Sequence, residues 1–148
     1  MQLICLVLAL NGCSRGIIAA QYWEFAADTS ANKQAIIGRW KVDSRISRLG
    51  LEAMGSAASS SGVVEFFKDG SFIAQSLPVE NVFKAPRFFS YTGSGKWLFD
   101  IRREFNIVLT MSDGSSYVLD ARINNGVLSL VRVLGDPDAP EVLVWFKP

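Results

Sequence analysis

From residue 36 to residue 147 the chain repeats one theme: short runs of alternating apolar and polar side chains, broken by turn-forming residues. A period of two buries one face of a β-strand and leaves the other in water. The runs fall at about 37–43, 62–68, 71–77, 94–99, 105–111, 116–123, 127–134 and 141–147, with a short ninth piece at about 88–91. Three of the breaks carry a mechanism. "FFKDGSF", "TMSDGSSY" and "RINNGVL" set Asp69-Gly70, Asp113-Gly114 and Asn125-Gly126 between apolar runs. Such dipeptides supply positive φ angles, and a tight type I′ hairpin turn is expected at each. Successive hairpins and about eight strands predict an all-β fold, a small antiparallel up-and-down barrel of eight or nine strands. A barrel is preferred to a sandwich because closure removes the exposed sheet edges.

Other segments depart from this period. Ile18, Tyr22 and Phe25 are spaced to line one face of a short N-terminal helix or arm. "SRISRLGLEAMGSAASSSG" (44–62) holds enough good helix formers for one short helix, followed by a flexible Ser-rich run. "PVENVFKAPRFF" (78–89) carries Pro78 and Pro86, which argue against a regular central strand there. At the N-terminus, "MQLICLVLALNGCSRG" has an apolar run from Leu3 to Leu10. It is far shorter than the roughly 20 residues needed to span a bilayer core and fits the middle of a secretory signal.

Composition narrows the chemistry. The 148 residues are 49% hydrophobic and 20% charged, ordinary for one globular domain. A net charge of +1 builds no field for nucleic acid. There is no His, so His-based catalysis and His-ligated metals are excluded. The two cysteines, Cys5 and Cys13, leave the body of the chain without a disulfide or a cysteine metal site. Glu65, Asp69, Glu104, Asp113 and Asp120 fall in turns or on faces expected to see solvent, and no spacing pairs two of them for acid–base work. Asp136, Asp138 and Glu141 in "GDPDAPE" read as a solvated turn, not a calcium site. No enzyme, cofactor or metal is expected.

Two resemblances extend this reading. Leu10-Asn11-Gly12-Cys13 resembles the lipobox of bacterial lipoproteins. The resemblance implies that Cys13 becomes the first mature residue and carries acyl chains, and Ser14 after it implies the outer membrane, facing the periplasm. An ordinary signal peptide cleaved near "IIAA" (17–20), with Cys13 an incidental thiol, is the alternative. On the first reading, residues 1–12 are a signal peptide, 13–35 a lipid-anchored tether with a possible short helix, and 36–148 the barrel. "IIGRWKVDS", "GVVEFFKDGSFIA", "GSGKWLFD" and "VLVWFKP", in that order, resemble the small lipocalin-like domains of bacterial exported lipoproteins. This implies that Trp40 lies across the closed barrel floor, that Lys147 covers its face, and that Gly38 lets the chain pass closely beneath. Arg132, which interrupts the apolar "VLSLVRVL", is either a rival for that base or a plain exposed Arg.

The inward sets are bulky: Tyr117, Leu119 and Ile123, then Ile107, Leu109 and Met111, with Phe67, Trp97 and Trp145 nearby. Strands of about seven residues, roughly 23 Å, lined this way tend towards a packed core. Any mouth should lie opposite Trp40, under a lid holding Phe83, Lys84, Arg87, Phe88, Phe89 and Tyr91. Aromatic surface beside two cations suits an amphipathic anion such as a fatty acid or a lipid headgroup. Alternatively, these aromatics fold back and cap the core. The leading expectation is a membrane-tethered envelope module that binds a small apolar or amphipathic molecule or an envelope partner. Two other readings stand beside it: a protease-inhibitor-like barrel using its N-terminal arm, and a structural lipoprotein with no ligand.

Overall fold

The computed structural model describes residues 33–55, 61–81, 85–100, 107–124, 126–134 and 141–148. Among them, eight antiparallel strands form a closed barrel in which each pairs with its neighbours in sequence and the last pairs with the first. They are β1 (Gly38–Val42), β2 (Val63–Phe66), β3 (Ser71–Glu80), β4 (Phe88–Phe99), β5 (Ile107–Met111), β6 (Ser116–Asn124), β7 (Val127–Val133) and β8 (Val142–Phe146). A one-turn helix α1 (Lys33–Ile36) precedes β1, and α2 (Arg48–Met54) follows it. Period-two alternation sends Trp40, Val64, Phe66, Phe72, Leu109, Leu119, Leu130 and Trp145 into one buried core. Outside the barrel, Val131, Val142 and Val144 form a second small cluster with Ile46 and Val133. The Ser47 hydroxyl, just before α2, accepts from the Val144 amide at 2.8 Å and fixes that corner to β8.

The hairpins at Gly70 and Gly114 are not type I′ turns. Gly70 and Gly114 have φ near +80°, but Ser76 is the one non-glycine residue with positive φ among the described residues, so Asp69 and Asp113 do not share it. Instead Gly70 N–H donates to Phe67 O at 3.1 Å and Phe67 N–H to Ser71 O at 2.9 Å. Gly114 and Met111 repeat the pattern at 3.0 and 2.8 Å. Each is a three-residue loop, a type I turn closed by a glycine bulge. The aspartates contribute through their side chains, accepting the Ser71 and Ser115 amides at 2.9 Å. At the third hairpin Gly126 has φ +77°, while Asn125 lies outside the described residues.

Pro78 does not stop a strand. β3 runs to Glu80, and the pieces expected at 88–91 and 94–99 are one strand, β4. Two features explain this. A bulge between Ala74 and Leu77, with Ser76 at φ +51°, shifts the inward set from positions 72 and 74 to 77 and 79. The simple alternation therefore breaks off where the strand continues. Pairing with β2 also ends at Val63–Gln75, so from Leu77 onward β3 has only β4 beside it. A proline, which has no N–H to give, is tolerated on a stretch that lacks a second ladder partner, and Pro78 is buried there with Gly62 packed close against it. Because β4 meets β5 only from Gly95 down, residues 77–80 and 88–94 stand as a two-stranded overhang at one end of the barrel.

Candidate functional site

The closed end is built around Trp40. Its ring is fully buried and its Nε1–H donates to Ile36 O at 2.7 Å, so α1 and the start of β1 hold each other. Lys147 Nζ stands 5.2 Å from the centre of the Trp40 ring and donates to Ala35 O and Ile37 O, both at 2.7 Å. A cation over an indole contributes about 0.5–2 kcal/mol. Partial burial pushes the Lys147 ammonium below the ordinary lysine pKa. Gly38 has φ +120°, a conformation that L side chains rarely adopt. A Cβ there would meet Lys147 only at 3.7 Å, ordinary contact, so backbone conformation and not close passage demands the glycine.

A pocket opens at the other end of the barrel. This cavity of about 430 Å³ lies between the overhang and the β5–β6 hairpin, walled by Val79, Phe89, Met111 and Tyr117 with Glu80 and Arg132 among them. Below it the core is packed, with Phe66 edge-on to Trp97 at 5.1 Å, and Leu77, Val79, Met111 and Tyr117 towards the mouth are buried as well. Arg132 neither joins Trp40 nor lies exposed. Its guanidinium is 5.7 Å from the Tyr117 ring centre and 3.6 Å from Glu80 Oε2, with 15% of the side chain accessible.

Glu80 is the centre of this polar group. Its side chain is 1% exposed, and Arg87 donates Nε and Nη2 to Oε1 at 3.0 and 2.7 Å. One carboxylate thus stands between two guanidinium groups. Tyr117 is buried and its hydroxyl has no hydrogen-bond partner. A buried donor left so costs about 1–3 kcal/mol. Burial pushes the Tyr117 phenol well above its ordinary value of 10.0; the Arg132 charge opposes this and Glu80 adds to it.

The other lid residues separate. Arg87 lies 5.0 Å from the Phe88 ring, and Phe88 and Phe89 are half-buried, with Phe89 on the cavity wall. Tyr91 turns towards Phe72 at 6.5 Å, and its hydroxyl donates to Ser94 O at 2.7 Å. Phe83 and Lys84 lie outside the described residues, as do Cys13, Glu104, Asp136 and Asp138. Asp120 corrects another expectation. It is 7% exposed and paired with Arg122 at 2.7 Å, not open to solvent. Among the described residues no group of three His, Cys, Asp or Glu is placed to hold a metal ion, and no helix is long and apolar enough to cross a membrane.

Glu80 was not a candidate by sequence, and Tyr117 counted only as core. The signal available was a pair of lone charges of opposite sign, Glu80 after "LPV" and Arg132 within "VLSLVRVL", each inside an apolar run. Comparison of the chain with family models, with curated proteins and with solved structures gives no match.

Proposed function

We propose that this barrel is a binding module, not an enzyme, that takes a small amphipathic molecule into its end pocket and is held at a bacterial envelope membrane through acyl chains on Cys13. The observation that carries the binding half is the cavity: about 430 Å³, at the end opposite Trp40, with a mixed apolar and polar lining that includes Glu80 and Arg132. Such a volume and lining are ordinary for small-molecule sites. Phe89, one of the residues expected in a lid, lines the mouth. The anchoring half rests on the Leu3–Leu10 run and Leu10-Asn11-Gly12-Cys13. Several acyl chains, at about 0.8 kcal/mol per buried CH₂, would make membrane attachment effectively permanent.

Native mass spectrometry of the full chain, extracted from its own cells in mild detergent, tests the first half. A co-purifying small molecule is the expected result. A stable protein partner would favour an inhibitor-like barrel, and a bare chain would leave a structural lipoprotein. For the second half, Cys13→Ser should move the protein from the membrane fraction to the soluble one; unchanged membrane association would remove the anchor.

A further inference from the structure

Beside the cavity the fold leaves a strand edge open. Two bonds set which way the backbone faces from Arg87 to Trp97: Trp97 N–H donates to Gly70 O at 2.8 Å, and Asn81 N–H to Arg87 O at 2.6 Å. Both turn odd-numbered residues towards β3, so even-numbered residues of β4 turn their N–H and C=O the other way. Lys96 and Leu98 meet β5 on that side, opposite Thr110 and Val108. Next to them Ser94 O accepts from the Tyr91 hydroxyl at 2.7 Å. Further up, Phe88, Ser90 and Thr92 have no strand beside them among the described residues, and Ser90 and Thr92 are exposed. The β3 side of the same overhang is blocked. There Pro78 has no N–H, and Gly62 packs so close that a Cβ on it would stand 2.8 Å from the Pro78 ring. On the β4 side, Phe88 to Thr92 holds neither proline nor charge, the usual means of blunting an edge. This unblunted edge borders the cavity, which Phe89 lines.

We infer that the ligand is a short free peptide that lies along β4 as an added strand, exchanging backbone hydrogen bonds with Ser90 and sending apolar side chains into the cavity. The inference rests on the reading of the cavity as a binding site and names its ligand class. A backbone edge is matched by another backbone, whose amides supply donors and acceptors in the same alternation. The residue opposite Ser90 turns its side chain outward, while its two neighbours, opposite Phe89 and Tyr91, turn theirs inward. At roughly 30 Å³ for each water-sized group, the volume holds on the order of a dozen non-hydrogen atoms, enough for two large apolar side chains. A tripeptide that reads apolar, polar, apolar is the simplest such ligand.

Isothermal titration of the full chain with N-acetyl-Leu-Ser-Leu-methylamide and with decan-1-ol tests this. The peptide should bind. N-methylation of its Ser amide, which faces Ser90, should weaken binding at least about tenfold, and N-methylation of a Leu amide, which faces away, less than about twofold. On the protein side, Ser90→Pro removes the facing N–H without touching the bonds to β3 and should weaken the peptide by at least about tenfold, whereas Ser90→Ala should bind like the natural chain. Should the proline variant fail to fold, the methylated peptides still decide on the natural chain. Equal losses from the two methylations would overturn the strand pairing. Binding of decan-1-ol without the peptide would overturn the peptide assignment while leaving the cavity as a binding site, and binding of neither would remove both. In native mass spectra of the chain from its own cells, the bound mass should fragment into amino-acid residues; an intact protein in its place would overturn the free peptide.

Discussion

Trp40 and Tyr117 mark the two ends of the barrel, and their side chains face opposite demands. The Trp40 indole has every need met: full burial, an acceptor in Ile36 O and a cation over its face. Trp40→Ala should cost about 3–5 kcal/mol in urea unfolding, the usual loss for a buried large aromatic; a loss under about 1 kcal/mol would mean that the ring seals nothing. Tyr117 keeps an unmet need, and its raised pKa fixes the sign of a pH effect. The folded state holds the phenol proton above pH 10.0, where the unfolded chain releases it. The contribution is therefore constant below about pH 10 and is lost as pH rises further towards the folded pKa. Melting temperatures followed upward from about pH 9 should fall more steeply for the natural chain than for Tyr117→Phe; parallel curves would deny the burial. The closed-end residues are reached in the sequence through the order of several matching pieces, from Gly38-x-Trp40 to Lys147, because Gly-x-Trp by itself is a common pattern. Tyr117 is not, because an inward aromatic looks the same whether its hydroxyl is paired or orphaned.

Among the elements, strand positions follow from alternation because each inward side chain pays a direct penalty for facing water. Turn type does not follow, since Asp-Gly serves either a two-residue loop or a three-residue loop with a bulge, and only the partner register decides. The length of β3 was hidden for a related reason: its bulge breaks the pattern by which strands are found. β4 depends on a packing contact that pattern cannot reveal. A Cβ on Gly95 would stand 2.2 Å from the backbone oxygen of Thr110 and 2.6 Å from the Phe72 ring. On Gly93 it would instead meet the end of the Tyr91 side chain at 2.7 Å, which can swing away. Gly95→Ala should thus destabilise by at least about 1–3 kcal/mol, and clearly more than Gly93→Ala, in chemical denaturation. Similar losses from both would show that β4 and β5 can part without cost.

For the molecule as a whole, closure is its least supported junction. β1 and β8 share two residue pairs, Lys41–Phe146 and Val42–Trp145, whereas β3 and β4 share eight. Nearby bonds reinforce the seam: Asp43 N–H to Val144 O at 2.8 Å, the Ser47 hydroxyl on the Val144 amide, and the Lys147 ammonium on the carbonyls before β1. Amide hydrogen exchange should find Asp43 and Val144 opening ahead of the β3–β4 ladder, and Ser47→Ala should speed them further; equal protection throughout would mean that the circle opens only by global unfolding. The circle itself was legible, because successive hairpins leave two unpaired edges that closure alone removes. The pocket at its end was not. It depends on an overhang set by two register limits, one on each side of the β3–β4 hairpin.

The brevity of that seam bears on how the protein is made. The strands it joins lie about a hundred residues apart, so a nascent chain carries seven strands and two raw flanks before the eighth arrives. Ring completion is then the last step in assembling the eight strands, and the moment at which neighbouring copies cease to be able to stitch together through open edges.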